Sequence, residues 1–211
     1  YNNLGVIYRN KQQHDKALEH FENSNRLRKE MGSEKGDPES LDNIGIIYYD
    51  KGELKKALEY HKRALDIEEK MENKNGIAAT LDNIGVVLFE KGELDEAIDH
   101  HERSLKLKKE LGNKNGIALS NFNLGKCYKE KGRLEKALKS FNRSLEINEE
   151  LDCEQDKAYS LIWRSLVYME KGMTESAEKD LDRASKIFVQ LEDRYGKGMS
   201  LSYLGKLMLR E

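Results

Sequence analysis

A pattern that recurs every 40 residues constrains the fold of this 211-residue chain more than any other feature. Residues 41–45, Leu-Asp-Asn-Ile-Gly, recur unchanged at 81–85 and with substitutions at 121–125. Repeats of this length are typical of solenoids, in which each unit buries its apolar face against its neighbours. The pattern predicts a single array, residues 1–211, made of repeats 1–40, 41–80, 81–120, 121–160 and 161–200 and a partial repeat, 201–211.

Each repeat reads as two amphipathic helices, because its apolar residues follow helical spacing. In repeat 41–80, the first predicted helix runs from about 38 to 51 and carries Leu41 and Ile44 on one stripe. Gly52 ends this helix, and a second helix is predicted from about 54 to 71. Residues 73–76, Asn-Lys-Asn-Gly, are predicted to form the turn into the next repeat. No segment alternates with period two, so the sequence predicts an all-α fold, an α-solenoid of antiparallel helix hairpins.

The pattern within one repeat resembles the tetratricopeptide repeat (TPR) family over essentially the whole chain. The residues that carry the resemblance in repeat 41–80 are Ile44, Gly45, Tyr48, Gly52, Ala57 and Ala64. The period exceeds the usual length of about 34 residues and is similar to that of Pins-type polarity adaptors and kinesin light chains. The resemblance implies a right-handed superhelix of five repeats plus a half repeat, with the first helix of each hairpin lining a concave groove. Arg164 and Ser165 depart from the Leu-Gly pair of the family pattern.

Composition argues against several classes of partner and environment. The chain has 37 basic and 39 acidic residues and a net charge of −2, which does not neutralise phosphates, so no nucleic-acid partner is expected. No apolar run approaches the roughly 20 residues that span a bilayer, so no membrane partner is expected. Two cysteines, Cys127 and Cys153, are too few for a disulfide framework and favour a cytoplasmic setting. Cys127 is predicted to be a buried small hydrophobe.

The glycines and histidines give no sign of catalysis, since the repeat frame accounts for them. Every glycine belongs to that frame, which leaves no phosphate-binding loop. His100 and His101 are adjacent and point about 100° apart on a helix, so they cannot chelate one ion together. His61 and His101 share a repeat position with Phe21 and are predicted to be packing residues. We expect no enzyme activity, no cofactor and no metal site.

Asparagine recurs at one first-helix position in four repeats. It is disfavoured inside helices because its amide competes for local backbone hydrogen bonds. The TPR resemblance places this column in the groove, and two interpretations stay open: the amides bind a ligand backbone, or they are common in the family whatever the ligand. The predicted peptide groove comprises Asn3, Asn43, Asn83, Asn123, Asp42, Asp82, Ile46, Tyr49, Val86, Phe89, Phe122, Lys126 and Lys129.

Analogy with the family predicts a protein–protein interaction scaffold that binds a peptide segment of a partner in its groove. An alternative is a ligand-sensing repeat region that regulates an effector or catalytic domain outside this sequence, and a third is an auxiliary region of an enzyme. The first predicted helix begins inside a repeat signature, and 201–211 lacks a second helix. We therefore expect either further repeats on both sides or self-association through exposed array ends, with Leu204, Leu207 and Met208 partly bare.

Overall fold

The computed structural model describes residues 1–32 and 36–209, and every regular element in these ranges is an α-helix. This confirms the all-α prediction. The helices are α1 (Asn2–Asn10), α2 (His14–Glu30), α3 (Pro38–Asp50), α4 (Leu54–Lys70), α5 (Lys74–Glu90), α6 (Leu94–Glu110), α7 (Lys114–Glu130), α8 (Leu134–Glu150), α9 (Glu154–Glu170), α10 (Thr174–Gln190) and α11 (Arg194–Met208).

The chain divides into two compact units, Tyr1–Leu111 with α1–α6 and Gly112–Glu211 with α7–α11. Within each unit, every helix packs on the helix before it and on the helix after it. First helices of successive hairpins also touch: α1 contacts α3 and α3 contacts α5 in the first unit, while α7 contacts α9 and α9 contacts α11 in the second. Each unit is thus a stack of helix hairpins, as a solenoid requires. That all 211 residues form one array stays a prediction.

The helix boundaries follow from the turn residues. Gly52 and Gly92 have φ angles of 75° and 79°, which glycine adopts without steric cost, and they follow the first helices of their hairpins. The Asn73 side chain accepts a hydrogen bond from the Gly76 backbone N–H at 3.3 Å and so caps α5. The prediction of a turn over 73–76 is therefore wrong, because Lys74 already begins the helix and the connection ends at the cap.

In the first four hairpins, a glycine on the first helix faces a ring on the second. A Cβ atom at Gly45 would lie 2.7 Å from His61 Cε1, and one at Gly125 would lie 2.6 Å from Phe141 Cε1. Carbon atoms pack at about 3.5–4.0 Å, so only glycine permits this approach. The predicted packing role of His61 is confirmed, since its side chain is buried. Cys127 is also buried, as predicted.

First helices also pack back onto the preceding hairpin. Ile47 of α3 packs with Ala17 and Phe21 of α2. Leu207 occupies the equivalent position in α11 and is buried, so the prediction that it stays bare is wrong. Met208, on another face of the same helix, is exposed as predicted.

The amount of buried side chain per helix predicts which hairpin opens first. Gly5 is the one buried residue of α1, and Ala17 and Phe21 are those of α2, whereas α5 buries eight residues. Local opening is easiest where few side chains are buried. We expect amide hydrogens of residues 2–30 to exchange faster than those of residues 74–90, measured by hydrogen–deuterium exchange with mass spectrometry. Equal protection of the two segments would contradict this.

Strained turn residues offer a route to a more stable chain. Glu72 has a φ of 53°, a conformation that costs residues with a side chain about 1–2 kcal/mol. We expect Glu72→Gly to raise the free energy of unfolding by about 1 kcal/mol, measured by urea denaturation. Glu72→Ala is the control, because it removes the same side chain and keeps the strain. An equal gain from both changes would show that the carboxylate, and not the backbone, is responsible.

Candidate functional site

The structure uses two of the asparagine amides inside the first unit. Asn43 is 9% exposed, and its Oδ1 accepts a hydrogen bond from Arg9 Nη1 at 2.6 Å while its Nδ2 donates to the Glu39 carbonyl at 3.0 Å. Asn83 Nδ2 donates to Asp42 Oδ2 at 2.8 Å. These bonds join α1 to α3 and α3 to α5. The asparagines at both positions therefore bind consecutive first helices to each other.

The remaining two asparagines differ in exposure. Asn3 is exposed and Asn123 is buried. Ligand binding by the column stays a prediction. A peptide backbone would have to displace the internal hydrogen bonds of Asn43 and Asn83, each with a net contribution of about 0.5–1.5 kcal/mol. The amides thus have a structural function that the sequence pattern did not reveal.

Two acidic residues of the predicted groove pair with buried histidines of the same hairpin. Asp42 Oδ1 lies 2.5 Å from His61 Nδ1, and Asp82 Oδ1 lies 2.8 Å from His101 Nδ1. Both imidazoles are buried, and Asp82 is buried with its partner. The repeat pattern predicted packing alone for the histidines, and these pairs were missed. The sequence did contain a signal for these pairs, because the aspartate and the histidine are 19 residues apart in both hairpins.

Lys108 completes a charged cluster in the third hairpin. Its ammonium group pairs with the Asp82 carboxylate, and both side chains are buried. Burial by itself would raise the pKa of Asp82, but the hydrogen bond from His101 and the charge and hydrogen bond of Lys108 outweigh it, so the pKa lies below its ordinary value. The ionised carboxylate is therefore the form that the fold stabilises.

The apolar residues of the predicted groove are half-buried. Ile46 and Tyr49 on α3 and Val86 and Phe89 on α5 all keep part of their surface in contact with solvent. Burial raises the pKa of the Tyr49 phenol, and the nearby carboxylate of Glu90 raises it further. At neutral pH this strip of the first unit therefore offers apolar surface and an uncharged hydroxyl group.

The two predicted groove lysines are both engaged within the second unit. Lys129 Nζ pairs with Glu170 at 2.7 Å and with Glu130 at 3.1 Å. Lys126 Nζ lies 5.2 Å from the centre of the Trp163 ring, a cation–π distance. Both lysines thus lie against acidic or aromatic side chains of their own unit.

A cavity of about 360 Å³ lies in the second unit, bounded by first helices of three successive hairpins, α7, α9 and α11, and by α8. Phe122, the one predicted groove residue in its lining, meets Trp163 edge to face, with the ring centres 6.4 Å apart. The ten lining residues are Leu119, Phe122, Ser144, Asn148, Asp156, Tyr159, Ser160, Trp163, Tyr195 and Met199. Four of these residues are aromatic, and the predicted groove includes only Phe122 among them.

Hydroxyl and amide groups line part of this apolar cavity. Ser144 Oγ and Ser160 Oγ are 3.2 Å apart, and Asn148 Nδ2 lies 3.4 Å from Ser144 Oγ. All three side chains are buried. A few fixed polar groups in an apolar lining are typical of sites that bind and orient a ligand.

The cavity lies where the types of residue at equivalent repeat positions change. Asp82 and Lys108 of the third hairpin correspond to Phe122 and Asn148 of the fourth, at the same repeat positions. The fourth hairpin thus has an aromatic ring where the third has a carboxylate, and the short Asn148 side chain cannot occupy the volume of a lysine. Trp163 occurs at the repeat position of the asparagine column. These departures from the repeat are the signal in the sequence that could have located the cavity.

A charged network fixes the helix that presents Trp163. Arg164 donates two hydrogen bonds to Asp180, from Nε and Nη2, each at 2.7 Å, and a third to Asn142 Oδ1 at 2.7 Å. These contacts tie α9 to α10 and α8. Burial opposes the charge of Arg164, but the bonds to Asp180 outweigh it and raise the pKa of the guanidinium. The departure from the family pattern at this position therefore has a packing reason.

The sequence profile of the tetratricopeptide repeat family matches residues 1–70 and 76–150, more than half of the chain. The chain belongs to the tetratricopeptide repeat family. This confirms the resemblance that the repeat pattern carries. No match was found among curated protein sequences.

Several solved structures share the fold at low sequence identity. BtubC (BKLC) from P. vanneervenii is 20% identical with a TM-score of 0.78, and the match covers 91% of this chain and 80% of that one. A Rap protein in complex with competence and sporulation factor is 22% identical with a TM-score of 0.79, over 92% of this chain and 54% of that chain. A signal transduction ATPase with a TPR sensor from Pyrococcus horikoshii is 16% identical with a TM-score of 0.84. The match covers 96% of this chain and 31% of that chain. The chain thus spans about half the length of the Rap protein.

The described residues contain neither a metal-binding cluster nor a helix that could span a membrane. Within residues 1–32 and 36–209, no group of three or more His, Cys, Asp and Glu side chains is arranged to hold a metal ion. In the same ranges, no helix has the length and apolar composition needed to cross a membrane.

The Asp82–Lys108 pair predicts a pH-dependent contribution to stability. Because the folded-state pKa of Asp82 is depressed, this contribution is present above the unfolded pKa of about 3.9 and is lost as pH falls through the folded-state value. We expect Lys108→Met to lower the free energy of unfolding by about 2 kcal/mol at pH 7 and this difference from the wild type to shrink as the pH falls below about 4, where Asp82 becomes protonated. Urea denaturation at about pH 7, 4 and 3 measures both effects. Lys106→Met, a change on the same helix outside the buried cluster, is the control; equal losses from the two variants would contradict the prediction.

Proposed function

We propose that this chain is a protein-interaction module that binds a peptide segment of a partner, and that the cavity between α7, α8, α9 and α11 receives an apolar side chain of that segment. The cavity is the observation that carries the proposal. Its volume of about 360 Å³ lies within the usual range of about 300–1,000 Å³ for ligand sites. Membership of the TPR family supports a binding function, because the solenoid fold provides extended surfaces for partners.

The lining of the cavity favours an apolar or aromatic anchor. Tyrosine and tryptophan provide a large contact area at low entropic cost and are enriched among residues that dominate binding energy. Tyr195 and Leu119 are exposed, and Trp163 is half-buried, so the aromatic lining is open to an incoming chain. The serine hydroxyls and the Asn148 amide can bind polar atoms next to the anchor.

The first unit offers a second contact strip under the same proposal. Its half-buried apolar residues, Ile46, Tyr49, Val86 and Phe89, would contact alternate side chains of an extended peptide. The amides of the asparagine column would contribute to ligand binding only if hydrogen bonds to the ligand replaced their internal hydrogen bonds. The strip is therefore assigned a smaller share of the binding energy than the cavity.

A second candidate function is ligand sensing coupled to an effector domain. The observation that favours it is the coverage of similar structures: this chain matches 54% of the Rap protein and 31% of the signal transduction ATPase, whose repeats are described as a sensor. Under this proposal the same cavity binds the ligand, and binding changes the state of an attached domain. The two functions share the binding site and differ in the consequence of binding.

The test begins with a random peptide library displayed on phage and selected on the purified 211-residue chain. We expect selected peptides to share an apolar or aromatic position. Trp163→Ala should weaken binding of a selected peptide about 30-fold, since anchors of this kind contribute about 2 kcal/mol or more. A library without any enriched binder would contradict the proposal.

Two leucines provide a matched pair for the same measurement. Leu119, on the cavity, is 52% exposed and Leu201, on α11 outside it, is 50% exposed, so a lysine at either position stays in solvent. Leu119→Lys should weaken the selected peptide at least tenfold by isothermal titration calorimetry, and Leu201→Lys should leave its affinity within twofold, with helicity unchanged by circular dichroism. Equal affinity of both variants would place the peptide elsewhere and overturn the assignment of the cavity.

A further inference from the structure

The second and third hairpins carry the same buried Asp–His pair but opposite charges at one neighbouring position. In the third hairpin, the residue seven positions after the paired histidine is Lys108, and in the second it is Glu68. Both side chains are buried, with 6% and 7% of their surface exposed. One repeat position therefore holds a cation in one hairpin and a carboxylate in the other.

The third hairpin shows what this position can do. The Lys108 ammonium group pairs with Asp82, whose other oxygen faces His101 at 2.8 Å. The negative charge of the buried aspartate is thereby balanced by a cation of the same hairpin. Burial of a charge is costly unless it is paired in this way.

The second hairpin has a carboxylate at the position of that cation. Asp42 contacts His61 through Oδ1 and accepts a bond from Asn83 through Oδ2. Glu68 Oε2 is buried, and within residues 1–32 and 36–209 it has no hydrogen-bond partner. A buried carboxylate oxygen with no donor is rare in native proteins, and this oxygen is free to accept a hydrogen bond.

Acidic neighbours surround the Glu68 carboxylate. Burial raises its pKa most, and the charges of Asp42, Asp37 and Glu39 raise it further, while a hydrogen bond from Asn73 acts in the opposite direction. A cation placed here would meet an excess of negative charge. The buried carboxylates of the second hairpin thus lack the cation that Lys108 provides in the third.

We propose that Glu68 and Asp42 form a binding site for the ammonium group of a lysine side chain on a partner polypeptide. The bound ammonium takes the position relative to Asp42 that the Lys108 ammonium takes relative to Asp82. Three N–H donors suit the unpaired Glu68 oxygen and the Asp42 carboxylate together. This site belongs to the first unit and is separate from the aromatic cavity of the second.

The partner lysine would approach from the Asp42 side of the site, because the Glu68 side is packed. The Glu68 carboxylate lies against the first turn of α5, where a Cβ atom at Gly76 would collide with it. The Asp42 side chain is 17% exposed, so the acidic edge of the site meets solvent. An unbranched lysine stem can enter such an edge while its apolar methylenes lie along the protein surface.

The experiment titrates the 15N-labelled 211-residue chain with the blocked tripeptide acetyl-Gly-Lys-Gly-amide at pH 7.5 and monitors amide chemical shifts by NMR. We expect saturable shifts at residues 68 and 76. The neutral peptide acetyl-Gly-Gln-Gly-amide should bind at least tenfold more weakly, because it lacks the charge. Absence of saturable shifts, or equal shifts with both peptides, would overturn the proposal.

Glu68→Lys provides the decisive variant, because it installs the internal ammonium that the third hairpin already has. It should raise the melting temperature and weaken the lysine peptide at least tenfold. Glu68→Gln keeps the shape, removes the charge and should weaken the peptide similarly, which covers the case in which Glu68→Lys does not fold. Leu201→Lys, on α11 and outside both proposed sites, should bind the lysine peptide like the wild type. Full binding by either Glu68 variant would reject the site, whatever the result for the cavity.

Discussion

The contact between a first-helix glycine and a second-helix ring sets the geometry on which the other contacts depend. Gly45 on His61, Gly85 on His101 and Gly125 on Phe141 each leave no room for a methyl group. This close approach brings the position three residues before each glycine within reach of the same ring. Where that position is aspartate, the ring is an imidazole that bonds to it, and where it is Phe122, the ring is Phe141, which it meets at an angle of 64°. The same backbone spacing therefore accommodates either a hydrogen bond between aspartate and histidine or a contact between two aromatic rings.

The parts of the fold that depend on spacing within one helix could be predicted from the sequence. The stripe of Leu41 and Ile44 and the stop at Gly52 gave bounds for α3 and α4 that agree with the structure to within one residue. The capping function of Asn73 was missed, because the four residues 73–76 suit a turn as well as a helix start. The prediction for Leu207 failed because its burial depends on the preceding hairpin, which the pattern of its own helix does not describe.

The candidate sites could be predicted less well, since they depend on contacts between helices. Asparagine at a regular interval has the same sequence pattern whether its amide faces a ligand or a neighbouring helix. Asn83 donates to Asp42, which lies 41 positions earlier, and no single repeat contains that pair. The cavity was missed for a related reason: Asn148 is an ordinary polar residue in sequence, and the volume it leaves unfilled is apparent only beside the lysine at the same position of the preceding repeat.

Both candidate sites lie where one repeat departs from the next. Positions that are identical between repeats hold the residues that close the hairpin. A substitution at such a position replaces one interaction by another. In the fourth hairpin the charged cluster becomes aromatic, and dispersion and hydrophobic burial then dominate what the surface can bind. In the second hairpin the cation becomes Glu68, and Coulomb attraction in a partly desolvated site dominates instead. The two terms respond differently to salt, because screening weakens the second and leaves the first nearly unchanged, so salt dependence would distinguish binding at the two proposed sites.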